Sequence, residues 1–348
     1  MTHWPRHLVL SFLILLAACG PDDTTVRISG ETMGTTYNVV LVAPRPELTT
    51  GQIEAAISDT LAQVNAQMSN WDPDSEISRF NAAQTTDPVS ISPALAQVVR
   101  AADDIHRASN GRFDVTLTPL IELWGFGERR PESPVPSDAE ITQALALVGQ
   151  ARLLRINRDT ASLTKTNGKA SINLAAIAKG YGVDAVAARL EKLGIDDFMV
   201  EIGGDLVTAG NNPLGGRWRI GIERPQVGSR RVEQLVDITD QGLATSGDYR
   251  NYFEQDGVRY SHIIDPRTGR PITHNTASVT VVAENAMLAD AWATALLVMG
   301  QDQGLVLAER LGLATLFIAR NISSDDPRFI VTATSSFEAL QQAPAATE

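Results

Sequence analysis

Four short apolar runs at residues 218–222, 234–238, 258–264 and 278–283 follow one another across links of hairpin length, and they constrain the fold more than any other feature. Runs of this length bounded by turn residues read as strands. Further strands are predicted over 26–28 and 37–42, separated by the turn-rich Ser29-Gly30-Glu31-Thr32-Met33-Gly34, and over 198–202. Helices interrupt them irregularly. Ile53, Ile57, Leu61, Val64 and Met68 recur every three or four residues, the period of an amphipathic helix. Ser92-Pro93 opens a second helix, with Ser as N-cap and Pro in the first turn, that stops at Asn110-Gly111. Ser137 and Glu140 have capping-box spacing ahead of Ile141, Leu145 and Val148. Residues 175–193, 286–299 and 305–311 read as helices, and the Pro-rich, charged 129–136 as an exposed loop. This alternation favours an α+β fold, with mixed β-sheets and packed helices, over a doubly wound parallel sheet. At 348 residues the chain fills one large domain or two modest ones.

The formal net charge is −12, and loss of the leader, which carries Arg6, makes it −13. A chain that acidic has no electrostatic reason to hold nucleic acid or an anionic membrane surface. Any phosphate site must be built locally, from backbone N–H groups, one or two cations, or a metal. The leader itself is informative. Arg6 and His7 precede an apolar run over 8–16, too short to span a bilayer, and Ala17-Ala18-Cys19 follows. Leu16-Ala17-Ala18-Cys19 resembles the bacterial lipobox, in which the cysteine becomes the lipidated first residue. Cys19 is the only cysteine, so it has no internal disulfide partner. These features divide the chain into a signal peptide over 1–18, a polar tether over 19–25 and a functional domain over 26–340.

Neither G-x-G-x-x-G nor G-x-x-x-x-G-K-[ST] occurs, so neither common nucleotide cradle is present. His262 stands in Ser261-His262-Ile263-Ile264-Asp265-Pro266-Arg267-Thr268-Gly269, where an apolar strand runs into a Pro/Gly turn. A lone histidine is commonly structural; a neutral imidazole is also the natural general base near pH 7. Asp290 and Thr294 are four apart on an otherwise apolar helix, which puts both oxygens on one face. They serve either an internal hydrogen bond or a hard cation. One carboxylate and one hydroxyl suit Mg²⁺, whose shell substrate phosphates complete, better than Zn²⁺. Ile202-Gly203-Gly204-Asp205, Ala178-Lys179-Gly180 and Gly111-Arg112-Phe113-Asp114 are weaker candidates for ligand approach.

Together these segments resemble one family, the FAD:protein FMN transferases, or ApbE family, from about Gly30 to about Gly312. The family's pieces occur in order: Met33-Gly34-Thr35-Thr36-Tyr37, a segment from Met68 through Trp71 to Asn81, Phe113-Asp114-Val115-Thr116 leading to Leu123-Trp124-Gly125-Phe126-Gly127, and Asn173-Leu174-Ala175-Ala176-Ile177-Ala178-Lys179-Gly180-Tyr181. Glu201-Ile202-Gly203-Gly204-Asp205, Thr245-Ser246-Gly247-Asp248-Tyr249, the His262 segment and Ala289-Asp290-Ala291-Trp292-Ala293-Thr294 complete the set. The resemblance implies an ApbE-type, T-fold-like α+β architecture of two intimately packed subdomains. It implies FAD as substrate, contacted by Met33, Trp71, Arg112, Phe113, Asp114, Asn173, Lys179 and Ile264. It also implies Mg²⁺ held by the main-chain carbonyl of Ala176 with Asp290 and Thr294. Some members carry Asp where this chain has Ala293, Tyr where it has Trp71, and Glu where it has Lys179.

The reaction so implied is attack by a Ser or Thr hydroxyl of a target protein on the FMN-side phosphorus of FAD, expelling AMP, with His262 as base. Relatives modify membrane redox subunits, such as those of Na⁺-translocating NADH:quinone reductases and Rnf-type complexes. An enzyme lipid-anchored on the periplasmic side of a bacterial membrane suits such targets. They favour the inner membrane, whereas Gly20 in place of Asp after Cys19 points, by the enterobacterial pattern, away from it. Two rival readings are a Mg²⁺-dependent FAD pyrophosphatase and a flavin-binding protein without turnover.

Overall fold

The computed structural model describes residues 25–45, 47–126, 133–226, 228, 231–321 and 329–342. The leader with Cys19, and residues 129–132 of the 129–136 loop, lie outside them. β1 (Thr25–Thr32) and β2 (Thr35–Val42) close a hairpin with Thr32 opposite Thr35. Residues 29–32, read from sequence as part of a turn, pair with 35–38, so only Met33 and Gly34 turn. Both take positive φ, 51° and 71°, as the twist of a two-residue hairpin requires. A methionine held there is the kind of local strain that gathers at functional sites.

A long insertion follows: α1 (Thr50–Met68), α2 (Glu76–Ala82), β3 (Val89–Ser90), α3 (Pro93–Ala108), α4 (Thr118–Trp124), α5 (Asp138–Leu145), α6 (Gln150–Leu153), β4 (Leu154–Asn157), β5 (Ser162–Lys165) and α7 (Ala178–Lys192). Its helices begin and end at their caps. Ser92 Oγ accepts from Leu95 N ahead of Pro93, Ser137 and Glu140 close a reciprocal capping box, and α3 stops at Asn110 and Gly111, both left-handed. The sheet resumes with β6 (Phe198–Ile202) and β7 (Asp205–Ala209), then leaves for the hairpin β8 (Trp218–Glu223) and β9 (Val232–Ile238). It returns as β10 (Gln241–Gly247) and leaves again for β11 (Tyr252–Gln255), β12 (Val258–Ser261), β13 (Ile264–Asp265) and β14 (Arg270–Pro271). β15 (Thr276–Ala283), α8 (Ala286–Leu311), β16 (Ala314–Arg320), β17 (Phe329–Ala333) and α9 (Ser335–Gln342) complete the described chain.

In the eight-stranded sheet the order β1-β2-β6-β7-β10-β15-β16-β17 is the order of the chain, and every neighbouring pair is antiparallel. The sheet is therefore a meander, and the rest is inserted between consecutive strands. Strand alternation sorts its two faces. Val39, Leu41, Val200, Val279, Val281 and Phe317 face the helices α1, α3, α7 and α8. Val40, Leu206, Leu243, Val282, Leu316 and Ile318 pack on the other face against Trp218, Ile220 and Val236 of the β8–β9 hairpin and Phe337 of α9. A fourth cluster joins Leu120 and Trp124 of α4 to Ile141 of α5 and Ile264 of β13.

The predicted strand over 258–264 is split. β12 ends at Ser261, and Ile263 takes up with β14 instead, its carbonyl accepting from Ile272 N at 2.9 Å. His262 thus lies between two pairings rather than within one. The helix predicted from 175 begins only at Ala178, because Asn173 Oδ1 accepts the N–H of Ala175 (2.9 Å) and bends the chain first. The two helices predicted over 286–299 and 305–311 are the halves of α8, which breaks at Gly300 (φ 73°).

The start of α8 is pinned from three sides. Asn285 caps Leu288 N, and the Asp184 carboxylate on α7 accepts from the N–H groups of Ala286 (2.8 Å) and Met287 (2.9 Å). Gly180 of α7 and Gly242 of β10 lie against the same turn: a Cβ on Gly180 would stand 2.3 Å from the Ala286 carbonyl oxygen, and one on Gly242 2.2 Å from Ala286 N. Gly180→Ala therefore separates two effects of opposite sign. Helix propensity alone would stabilise by about 1 kcal/mol, whereas overpacking against rigid backbone costs about 1–3 kcal/mol. We expect net destabilisation, read as a lower urea midpoint at unchanged slope. A raised midpoint would show that α8 does not depend on this approach.

Candidate active site

Two cavities of about 340 Å³ and 320 Å³ share a wall made of Ile121, Asn173, Ala175, Lys179, Asn251 and His262. They form one cleft floored by the ends of β10 and α8 and roofed by the insertions. Every sequence-predicted site residue in the described chain lines it. Met33 and Trp71 line the second cavity; Arg112, Phe113, Asp114, Ala176, Ile264, Asp290 and Thr294 line the first; Asn173, Lys179 and His262 line both. Cys19 lies outside the described residues.

What these side chains offer differs. Trp71, on the loop between α1 and α2, is 83% exposed, an aromatic surface at the mouth of the cleft. Phe113 and Ile264 are core side chains, and both oxygens of Asp114 are taken internally. Oδ1 accepts from Thr116 N (2.7 Å) and the Thr116 hydroxyl, and Oδ2 from Gln150 N (2.8 Å). These residues shape the wall. Arg112 is buried, with one nitrogen donating to Gln303 Oε1 (2.7 Å) and another 3.9 Å from Asp265. Burial lowers its pKa, partly countered by Asp265.

At the floor, Lys179 contacts Asp205, and both Asp205 and Asp290 are buried. Burial pushes both carboxyls up; for Asp205 the charge of Asp290 adds to burial, Lys179 offsets part, and the result is a pKa of about 8. Burial lowers the lysine, but Asp290 and Asp205 outweigh it and hold the ammonium protonated. Two buried acids share one ammonium, so ionising both leaves a negative charge that a further cation would offset. The oxygen donors suit one too. Asp290 Oδ2 accepts from Gly180 N (3.1 Å), so the Ala176 carbonyl lacks the donor that α-helical spacing would give it. Thr294 Oγ1 lies 3.0 Å from Ser246 Oγ on β10. A carboxylate, a hydroxyl and a freed carbonyl fit a hard cation such as Mg²⁺.

His262 occupies the junction. Its Nδ1 donates to the Asn251 carbonyl (2.9 Å), which fixes the tautomer and leaves Nε2 as the basic nitrogen. The ring meets Phe126 edge-on at 6.4 Å. Burial lowers its pKa from the usual 6.5, so the imidazole is neutral at pH 7. Asp205, Ser246, Asn251 and Arg250 also line or floor the cleft. The motifs holding Asp205 and Ser246 stood out in the sequence, but nothing local marked those residues as partners of Lys179 and Thr294.

The family model described as the ApbE family matches residues 33–317. The FAD:protein FMN transferase of Vibrio cholerae is 43% identical over 331 residues, covering 95% of this chain and 97% of the relative. That of Haemophilus influenzae is 40% identical over 344 residues, covering 96% and 97%. Among solved structures, the flavin transferase ApbE from Vibrio cholerae superposes with a TM-score of 0.82 at 42% identity, covering 91% of this chain and 99% of that one. The fold, the order of the motifs and this similarity along nearly the whole length lead to one assignment: the chain belongs to the ApbE family.

Proposed function

We propose that this enzyme transfers FMN from FAD to a Ser or Thr hydroxyl of a target protein, using Mg²⁺. The single observation that supports it best is the position of His262, a neutral imidazole with a fixed tautomer between an aromatic-mouthed cavity and an oxygen-lined one. The isoalloxazine stacks at Trp71 and Met33, and the pyrophosphate lies toward Lys179, Asp290 and Thr294. His262 Nε2 takes the proton of the acceptor hydroxyl, whose oxygen bonds to the FMN-side phosphorus while the bond to the AMP oxygen breaks. No oxidation occurs, and AMP leaves with the bridging oxygen. Asp290, Thr294 and the Ala176 carbonyl would hold the metal, which would supply positive charge to the pyrophosphate. Lys179 adds a fixed positive charge beside it. Acceptors of the kind carried by Na⁺-translocating NADH:quinone reductases or Rnf-type complexes fit an enzyme anchored through Cys19 at the periplasmic side of a membrane.

Three outcomes test this. Asp290→Ala removes the only carboxylate assigned to the metal and should cost on the order of several kcal/mol of transition-state stabilisation. AMP release should vanish in the folded variant and in wild type treated with EDTA; normal turnover in either defeats the metal assignment.

His262→Asn should leave FAD affinity intact, measured by flavin fluorescence, and slow transfer by roughly 10²–10⁴-fold. Because the neutral imidazole is the active form, wild-type kcat/KM should be flat above the depressed pKa and fall as pH drops through it, below 6.5. The variant should lack that acid limb. Loss of FAD binding instead would make His262 a binding residue.

For the anchor, Cys19→Ser should release the protein from the membrane fraction or leave its leader uncleaved. An unchanged distribution, with no lipid mass on the wild-type N-terminus, would refute lipidation.

A further inference from the structure

Beyond the cleft lies a groove of about 280 Å³ on the opposite side of β10. It is lined by Ile220, Gly221, Ile222 and Glu223 of β8 and by Leu243, Thr245 and Gly247 of β10. Gly203, Thr245, Gly247 and Arg250 line both this groove and the cavity that holds His262 and Asp290, so a low sill separates the two. Both banks of the groove are strand edges. Among the described residues β8 pairs only with β9, and β10 pairs with β7 only through 241–243, because β7 starts at Asp205 and Leu206 faces Leu243. Residues 244–247 pair with β15 on one edge, and among the described residues their other edge has no backbone partner.

We propose that this groove receives an extended segment of the acceptor protein, which adds as a strand to the open edge of residues 244–247 and delivers its Ser or Thr hydroxyl across the sill. The proposal rests on the transferase reading above. Main-chain pairing supplies the affinity in such strand addition, and an unpaired edge is an available template for it. In that reading FAD enters from the Trp71 mouth. An acceptor arriving over Gly203 and Gly247 enters the cavity lined by His262, Ser246 and Thr294, so its hydroxyl meets the phosphates on the side of the base without displacing the flavin. Arg250 reaches both spaces and is tied to the groove by its ion pair with Glu223 at 2.8 Å. The chemistry delivered is unchanged: the hydroxyl oxygen gains the phosphorus, AMP departs with the bridging oxygen, and the proton goes to the base.

A removable plug on the β8 bank tests the groove, with the reduced, unblocked variant as the reference because Glu223 pairs with Arg250 of the cleft. In the Cys19→Ser chain, Glu223→Cys places the only thiol on the β8 bank, where it can be blocked by glutathione through a mixed disulfide and freed by dithiothreitol. The probe is the purified, unflavinylated acceptor subunit of the Na⁺-translocating quinone reductase type. Blocking should lower flavinylation of that subunit by at least about tenfold, leave FAD affinity within about twofold, and be reversed by reduction. Hydrogen exchange should show new protection of the Thr245 and Gly247 amides, which point to the open edge, when the subunit is added. Undiminished transfer by the blocked protein, or equal loss of FAD affinity, overturns the groove assignment. If the unblocked protein binds FAD but never modifies the subunit, the transferase reading with that acceptor fails, and the groove proposal fails with it.

Discussion

The first turn of α8 is the contact on which the rest of the active site depends. It leads the helix that carries Asp290 and Thr294 one turn apart, and its position is set by groups from two other elements. Asp184 of α7 takes two of its N–H groups, while Gly180 of α7 and Gly242 of β10 allow backbone to approach backbone. Free N–H groups at a buried helix start would each cost about 1–3 kcal/mol, so the carboxylate and the Asn285 cap are structural requirements of this packing. The same approach brings the N–H of Gly180 to Asp290, which frees the carbonyl of Ala176. Packing and the arrangement of these oxygens are therefore one. Anything that moves α8 from α7 alters both.

Electrostatics follow from that packing. Asp205, Asp290 and Lys179 are brought together in a place with little water, where a carboxylate is expensive to ionise. Two acids sharing one ammonium form a site that is strained toward protonation until a further positive charge arrives. The surrounding chain is acidic, at −12 overall, so nonspecific attraction of phosphates is weak and the cleft must select them locally. Arg112, Lys179 and a cation held by Asp290 would do so. The histidine is treated oppositely. Burial keeps His262 neutral, and the Asn251 carbonyl decides which nitrogen is basic.

Much of this was legible before any coordinates. Periodicity and caps located α1, α3, α5 and both halves of α8, because each carries its own signal in Ile53 to Met68, Ser92-Pro93, Ser137 with Glu140, and the apolar stretch after Asn285. The i, i+4 spacing of Asp290 and Thr294 was enough to place two oxygens on one face. The strands β7, β10, β16 and β17 were not anticipated. Leu206-Val207-Thr208, Leu316-Phe317-Ile318 and Phe329-Ile330-Val331-Thr332 are short β-prone runs whose signal was present, whereas β10 carries two glycines and a serine, and its strand character comes from its neighbours in the sheet. The break around His262 was invisible for a related reason. Residues 258–264 form a continuous β-prone run, and only the change of partner from β11 to β14 divides it. Asp205 was written in a visible motif, yet its role depends on a contact with Lys179 that spans 26 residues of sequence. Local pattern finds groups capable of chemistry; long-range packing decides which of them meet.

The meander explains why the site sits where it does. A sheet whose strands follow chain order needs no crossovers, so inserted segments are free to grow at strand ends without disturbing the pairing. Three insertions use that freedom differently. The first, between β2 and β6, supplies Trp71, Arg112, Asn173 and Lys179; the third, between β10 and β15, supplies Asn251 and His262. The second, the β8–β9 hairpin, supplies nothing to the cleft itself but packs Trp218, Ile220 and Val236 on the far face of the sheet. Because that hairpin does not pair with β10, it leaves an edge of the central sheet open within reach of the catalytic floor. A two-stranded ribbon that merely covered apolar surface would do so as well if it joined the sheet. Standing apart, it covers the core and still keeps main-chain groups available, which is what an enzyme whose second substrate is a polypeptide requires.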